Sequence, residues 1–353
     1  MKRNVVNMIN PYDAGMFPED LARKYGLKEP QVIQLASNEN PFPPSKQVEE
    51  EYMKGLQGLN RYPHPYYNGL KEALSSYLQV DKANIAVGNG AGDILRYMCD
   101  VVVDALDQVT IPLPSFTLYA IFAMMRDASI NFIEFPHYRI NADEIPDSKL
   151  LFLCSPNNPT GNTIPLGEVE RILKKQSGYV ILDEAYAEFS GKTGLDLVDK
   201  YDNLVVVRTF SKFFALAGLR IGYAVGNESI INAMERTRPP FCISSVASKV
   251  GIAALNSIDH YRGIRDKIIE ERERLARELE EFDFLEVYPS EANFLLIKAN
   301  KEGISKRLEE KGMIIRNLSG LMGLDGTYIR ITVGTEEENN MLLKFLQEQE
   351  LDH

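Results

Sequence analysis

From residue 84 to residue 208 the chain repeats one rhythm: a short, almost continuously apolar run, a cluster of turn residues, then a stretch with helical spacing. The apolar runs are Asn84–Val87, Gln108–Pro112, Ile130–Phe135, Lys149–Cys154, Tyr179–Asp183 and Asn203–Arg208. A strand with one wet face alternates apolar and polar residues. A run without alternation suits a strand covered on both faces by crossover helices. The rhythm therefore predicts an α/β fold, with a mostly parallel central sheet flanked by helices. It also predicts where chemistry belongs, because ligands of open α/β sheets bind beyond the carboxyl ends of the strands.

The rhythm changes near residue 245. A long charged helix, roughly His260–Phe282, leads to strands at Asn293–Lys298, Met313–Arg316 and Tyr328–Val333, with helices at Ile304–Lys311 and from Glu336 onward. With 353 residues the chain exceeds what one core usually serves. We expect an amino-terminal arm over 1–30 with a short helix near Glu19–Tyr25, a large domain over 31–245, and a smaller α+β domain over 246–353. Helical spacing at 46–58 and 68–79 opens the large domain.

The formal net charge is −11 and the sequence pI about 5.1. Such a surface repels phosphate backbones and anionic lipid, which argues against nucleic-acid and membrane partners. Cys99, Cys154 and Cys242 are far apart, odd in number and set among apolar neighbours, so they read as reduced core thiols. His64, His137, His260 and His353 show no metal-ligand spacing. The amino terminus lacks an apolar signal core, and no apolar run reaches the length of a membrane span. The expected location is the cytoplasm.

Four clusters carry candidate chemistry. Gly88-Asn89-Gly90-Ala91-Gly92-Asp93 joins a strand to a helix, where bare backbone and the helix dipole favour an anion; alone, it is as readily an ordinary turn. Ser155-Pro156-Asn157-Asn158-Pro159-Thr160-Gly161 follows a buried strand and reads either as a tight turn or as a turn that presents an Asn side chain to a ligand. Asp183-Glu184-Ala185-Tyr186-Ala187-Glu188 places a carboxylate at a buried strand end, costly without a cationic partner. Glu184 and Glu188 read as solvated or helix-start charges. In Thr209-Phe210-Ser211-Lys212-Phe213-Phe214, the aromatics around Lys212 would lower its pKa and favour the neutral amine. The plain alternative is a lysine snorkelling to the surface. Arg220, eight residues on, offers a fork suited to phosphate.

In order and spacing the clusters resemble those of the fold-type I pyridoxal-phosphate-dependent aminotransferases, and the resemblance runs over essentially the whole chain. It implies pyridoxal 5'-phosphate as cofactor, with Lys212 bonded to it and later shuttling the proton. Asp183 would pair with the pyridine nitrogen and keep it protonated. Asn158 and Tyr186 would hydrogen-bond the ring oxygen, and Phe116 would stack on the ring. Ala91, Gly92, Ser211 and Arg220, with Thr209 nearby, would hold the phosphate. Tyr62 resembles the tyrosine that reaches the phosphate from a neighbouring subunit, which implies a homodimer with shared sites.

Further segments resemble the histidinol-phosphate aminotransferases: Pro11-Tyr12, Leu35-Ala36-Ser37-Asn38-Glu39-Asn40-Pro41, Tyr288–Phe294 and Tyr328–Thr335. That resemblance implies an amino donor, L-histidinol phosphate, and a 2-oxo acid, 2-oxoglutarate. Arg330, Arg316 and Tyr12 would bind the donor's acidic end, with Asn38 also on the substrate side. Segment 317–326 and Arg238–Ser244 depart from the pattern. Lys212–Leu216 also resembles threonine-phosphate decarboxylases, but the start of the chain shows no H-G-G motif. An aromatic amino acid aminotransferase is another alternative. A ligand sensor fused to a DNA-binding domain is disfavoured by the charge and by an ending at His353 directly after the last helix. A catalytically dead scaffold has no need of Lys212, Asp183, Tyr186 and Arg220 together.

Overall fold

The computed structural model describes residues 4–351, so His353 lies outside the described residues. Its strands are β1 (Ile33–Leu35), β2 (Ile85–Asn89), β3 (Gln108–Leu113), β4 (Ser129–Glu134), β5 (Leu150–Cys154), β6 (Tyr179–Asp183), β7 (Leu204–Thr209), β8 (Ile221–Gly226), β9 (Leu285–Val287), β10 (Phe294–Ala299), β11 (Met313–Asn317) and β12 (Tyr328–Thr332). They form a seven-stranded sheet in the order β2-β8-β7-β6-β5-β3-β4 and a five-stranded sheet in the order β1-β11-β12-β10-β9. In the larger sheet β7, β6, β5, β3 and β4 run parallel, and β8 alone pairs antiparallel, with both β2 and β7. The α/β expectation is met. The unalternating runs β5 and β7 are buried along their whole length, whereas β4 at the sheet edge is half-exposed.

The sequence rhythm misses β8, although it lies beside β7 inside the sheet. Its run, Ile-Gly-Tyr-Ala-Val-Gly, carries two glycines, which weaken any strand reading. The structure supplies the reason for Gly222. A Cβ on Gly222 would sit 2.2 Å from the Gly90 carbonyl carbon and 2.3 Å from the Ala91 nitrogen. β8 needs bare backbone there because the turn that opens the helix Ala91–Val102 lies directly on it.

Two segments sit elsewhere than the domain reading has them. Ile33–Leu35, counted with the large domain, pairs in parallel with Met313–Ile315 and so joins the smaller sheet. The helix Ser245–Asn256, counted mostly with the smaller domain, packs on the helices Lys46–Gly55 and Asn68–Leu78 beside the larger sheet. The next helix, Ile258–Leu279, spans both cores: Tyr261, Ile264 and Ile268 pack with the larger sheet's cluster, and Leu275 and Leu279 with the smaller sheet's.

Gly222→Ala should cost roughly 1–3 kcal/mol, because two backbones would have to part. Gly167→Ala, on a helix where an added methyl meets nothing within 4 Å, should leave stability unchanged or slightly raised. Denaturant midpoints of the two variants check this, and equal midpoints would refute the close-approach argument.

Candidate active site

A cavity of about 550 Å³ opens at the carboxyl ends of β2, β3, β5, β6 and β7 and is roofed by β11, β12 and residues 12–17 and 36–39. Every residue expected from sequence to touch cofactor or substrate lines it, except Tyr62.

One corner is built for an anion. Gly90, at φ 82°, turns the chain from β2 into the helix Ala91–Val102, so the first amides of that helix, at Ala91 and Gly92, face the cavity without intrahelical partners. At the end of β7, Thr209 Oγ1 lies 2.9 Å from Ser211 Oγ. Arg220 donates to Ser211 Oγ (3.3 Å) and to the Ala217 carbonyl (3.1 Å). Any Cβ on Gly90 would lie 2.4 Å from Arg220 Nη2, so the glycine is what lets the guanidinium reach the helix start. With no carboxylate among its hydrogen-bond partners in the described residues, Arg220 keeps its charge for a ligand.

Opposite stands Asp183, the last residue of β6 and 5% exposed. Tyr119 Oη donates to its Oδ2 (2.7 Å) and the Ala185 amide to its Oδ1 (3.1 Å). Desolvation pushes its carboxyl up to about 6, against the pull of these two donors. No cation neutralises it among the described residues. Tyr119 is absent from the sequence reading, because a tyrosine inside the apolar run Leu118–Met125 looks like core.

Lys212 reaches into the cavity between these two corners and donates to the Ser37 carbonyl (2.7 Å). Its amine is lowered to about 7, first by desolvation and then by the Arg330 charge, with Glu39 pulling the other way. The direction matches the sequence reading and the cause does not. Phe210, Phe213 and Phe214 turn into the core, where Phe214 packs against Tyr77 and Tyr261 and Phe213 against Phe189. They anchor the loop rather than surround the amine.

On the roof, Arg316 and Arg330 are direct partners across the β11–β12 ladder. Side chains so paired share one face of the sheet, and like charges there are unfavourable without an anion. Arg330, 8% exposed, donates to Asn158 Oδ1 and to the Ala36 carbonyl (2.7 Å), while its Nε is buried without a partner. It does not pair with Glu336 or Glu337, the arrangement a merely structural arginine would show. Arg316 meets the backbone and the exposed carboxylate of Asp13, and its guanidinium lies 5.9 Å from the Tyr12 ring. Tyr12 meets Phe116 edge-on at 6.0 Å. Asn38, at φ 53°, donates from its side chain to Tyr186 Oη (2.9 Å).

Two readings need correction or relocation. Glu184 and Glu188 are not solvated. Glu184 is 1% exposed and accepts from Arg208 Nε (3.0 Å) and Nη2 (2.8 Å), and Glu188 lies 3.4 Å from Arg208 Nη1. Tyr62, 80% exposed, stacks on Phe241 at 4.5 Å outside its own chain's cavity.

The fold and this donor set are those of a fold-type I aminotransferase. The chain belongs to the aminotransferase class I and II family, whose model matches residues 30–346. It is 50% identical over 348 residues to histidinol-phosphate aminotransferase 2 of Archaeoglobus fulgidus, covering 98% of this chain and 99% of that one. Among solved structures it resembles histidinol-phosphate aminotransferase from Sinorhizobium meliloti in complex with pyridoxal 5'-phosphate (25% identity, TM-score 0.88, covering 98% of this chain and 96% of that one). L-threonine-O-3-phosphate decarboxylase from Porphyromonas gingivalis shares the fold at 25% identity, with a TM-score of 0.81, covering 91% of this chain and 100% of that one. The family implies pyridoxal phosphate, and the site fits it: an anion corner, a buried carboxylate lacking a cation, and an amine near neutrality between them.

Asp183 also makes a prediction for the cofactor-free protein. A carboxyl raised from 3.8 to about 6 destabilises the fold as pH climbs through that interval, by on the order of 3 kcal/mol at most. Asp183→Asn should therefore raise the unfolding midpoint at pH 8 relative to the parent and change it far less at pH 4.5. A shift of equal size at both pH values would contradict a desolvated, unpaired Asp183.

Proposed function

We propose that this aminotransferase moves the amino group of L-histidinol phosphate to 2-oxoglutarate, giving imidazole acetol phosphate and glutamate, with pyridoxal 5'-phosphate as cofactor. The observation that carries the substrate assignment is the Arg316–Arg330 pair: two guanidiniums on one face of the roof, the inner one without a carboxylate partner. A donor with no carboxylate needs a grip on phosphate at a distance from its amine, and two arginines provide it. The name of the half-identical relative supports the same reading.

Bound in the cavity, pyridoxal phosphate supplies an electron sink for the pair left when the donor's α-proton departs. Ala91, Gly92, Thr209, Ser211 and Arg220 would hold its phosphate, and Phe116 would cover the ring. Asp183 would hold the ring nitrogen's proton in place. Tyr186 Oη accepts from Asn38, which leaves its own proton free for the ring oxygen. Asn158 gives its Oδ1 to Arg330 and keeps its Nδ2 to donate. Lys212, with its amine near 7, has a neutral fraction at cellular pH that can take the proton from the donor's α-carbon. Tyr12 would border the donor's phosphate, and Asn38 would reach substrate through Tyr186.

The exposed Tyr62–Phe241 stack supports a homodimer in which Tyr62 reaches the phosphate corner of a second copy. Three unpaired cysteines support a reducing, cytoplasmic setting, and among the described residues no helix is long and apolar enough to cross a membrane. Two sheets with separate apolar cores support a division into arm, large and small domains, with Ile33–Leu35 in the small one and Ser245–Asn256 in the large one.

Incubation with L-histidinol phosphate and 2-oxoglutarate should yield glutamate, whereas L-threonine phosphate should release no carbon dioxide; the reverse pattern would make the chain a decarboxylase. Lys212→Ala should abolish turnover with folding intact, and undiminished transamination would sink the proton-transfer role. Arg330→Ala should raise the KM for histidinol phosphate about tenfold or more per lost contact. It should also weaken 2-oxoglutarate, while L-histidinol, lacking phosphate, should lose little. Equal losses for both donors would mean that Arg330 does not read the phosphate.

A further inference from the structure

The segment 317–326 joins the two strands that carry Arg316 and Arg330. After Asn317 the ladder continues for one bond, Leu318 N to the Tyr328 carbonyl (2.8 Å). The chain then folds through turns at Leu321 and Leu324, whose side chains pack on Leu318, Tyr328 and Leu296 as a small cluster of their own. This compact loop comes close to the larger sheet at Gly323. A Cβ on Gly323 would sit 2.9 Å from Pro114 N, 3.0 Å from Leu113 Cβ and 3.1 Å from Pro114 Cα. Gly323 also has φ 83°, so both its conformation and its neighbours call for glycine.

Pro114 is two residues before Phe116. Its carbonyl accepts from Asn157 Nδ2 (3.0 Å), and the next residue, Asn158, accepts from Arg330. A closed circuit follows: from Arg330 along β12 and the loop to Gly323, across to Pro114, through Asn157 to Asn158, and back to Arg330. The two sheets are thereby fixed to one another at both sides of the guanidinium pair.

We propose that Gly323 is a positioning residue: its bare backbone seats the loop on Pro114, and so sets the distance between the guanidinium pair and the Phe116 side of the cavity. A methyl at this position would lift the roof by a few tenths of an ångström or more, which weakens bidentate contacts that depend on geometry. The inference rests on the anion-binding reading of Arg316 and Arg330.

The test compares two glycines of the same loop. Gly320 has φ 84° and nothing within 4 Å of an added Cβ, so Gly320→Ala carries the same backbone strain without the collision. KM and kcat are measured for the holoenzyme of parent, Gly320→Ala and Gly323→Ala, with L-histidinol phosphate, L-histidinol and glutamate as donors and thermal midpoints in parallel. Gly323→Ala should raise the KM for histidinol phosphate and for glutamate at least tenfold, with kcat within about threefold of the parent and a thermal midpoint somewhat below that of Gly320→Ala. The KM for unphosphorylated histidinol should change little. Equal KM values in the two variants, or equal losses for phosphorylated and unphosphorylated histidinol, would overturn the proposal. A parent that turns over glutamate but not histidinol phosphate would overturn the substrate reading instead, and the loop would then be judged on the KM for glutamate.

Discussion

The site depends on a buried carboxylate that the protein leaves short of a cation. Asp183 lies at a strand end in the interior, and its neighbours supply a phenol and one amide rather than a positive charge. Desolvation outweighs those donors and holds the carboxyl above its ordinary range, at about 6. The next residue shows that the fold can do otherwise. Glu184, just as buried, receives two bonds from Arg208, and Thr193 and the Gly194 amide complete its shell. Successive residues leave a strand on opposite faces. β6 thus ends on an uncompensated carboxylate, and the residue directly after it belongs to a compensated buried pair. Buried ion pairs rarely add much stability, but removing one partner is expensive. Arg208 is therefore committed to Glu184 and Glu188 and is not available to Asp183.

The same incompleteness recurs on the positive side. Lys212, Arg220, Arg316 and Arg330 line one cavity with Asp183. Lys212 responds by lowering its pKa toward neutrality, and Arg330 is lowered by the same desolvation. Arg220 and Arg316 sit at more exposed edges of the same cavity. A dianionic phosphate at either end would relieve this repulsion, which is why the two anion corners and the lysine belong to one electrostatic system. Losing the charge at one corner changes the amine between them.

Much of this was legible in the sequence, because parallel strands deliver their following residues to one edge. Asp183, Thr209, Ser211 and Asn158 each follow a recognisable apolar run, and the structure gathers them as that rule requires. What stayed hidden depended on distant partners. β8 was obscured by two glycines, one of which, Gly222, makes room for a turn more than a hundred residues earlier. Tyr119 looked like core because its carboxylate partner is 64 positions away. Glu184 and Glu188 looked solvated because nothing local announces Arg208 as their counter-ion. The phenylalanines beside Lys212 were near it in sequence and turned away from it in space.

Long-range electrostatics and local recognition point in opposite directions here. The whole chain carries a formal charge of −11, so a phosphorylated donor or a dicarboxylate meets a repulsive field on approach. Steering by net charge therefore cannot explain capture. What remains is the short-range geometry of a cavity whose guanidiniums are partly desolvated and held by carbonyls, where each contact is worth more than at the surface. Screening reaches about 8–10 Å at ordinary ionic strength, which mutes the outer charge more than the inner contacts. Added salt should then ease approach and leave the grip on phosphate largely intact. The arrangement suits a small anion held by geometry.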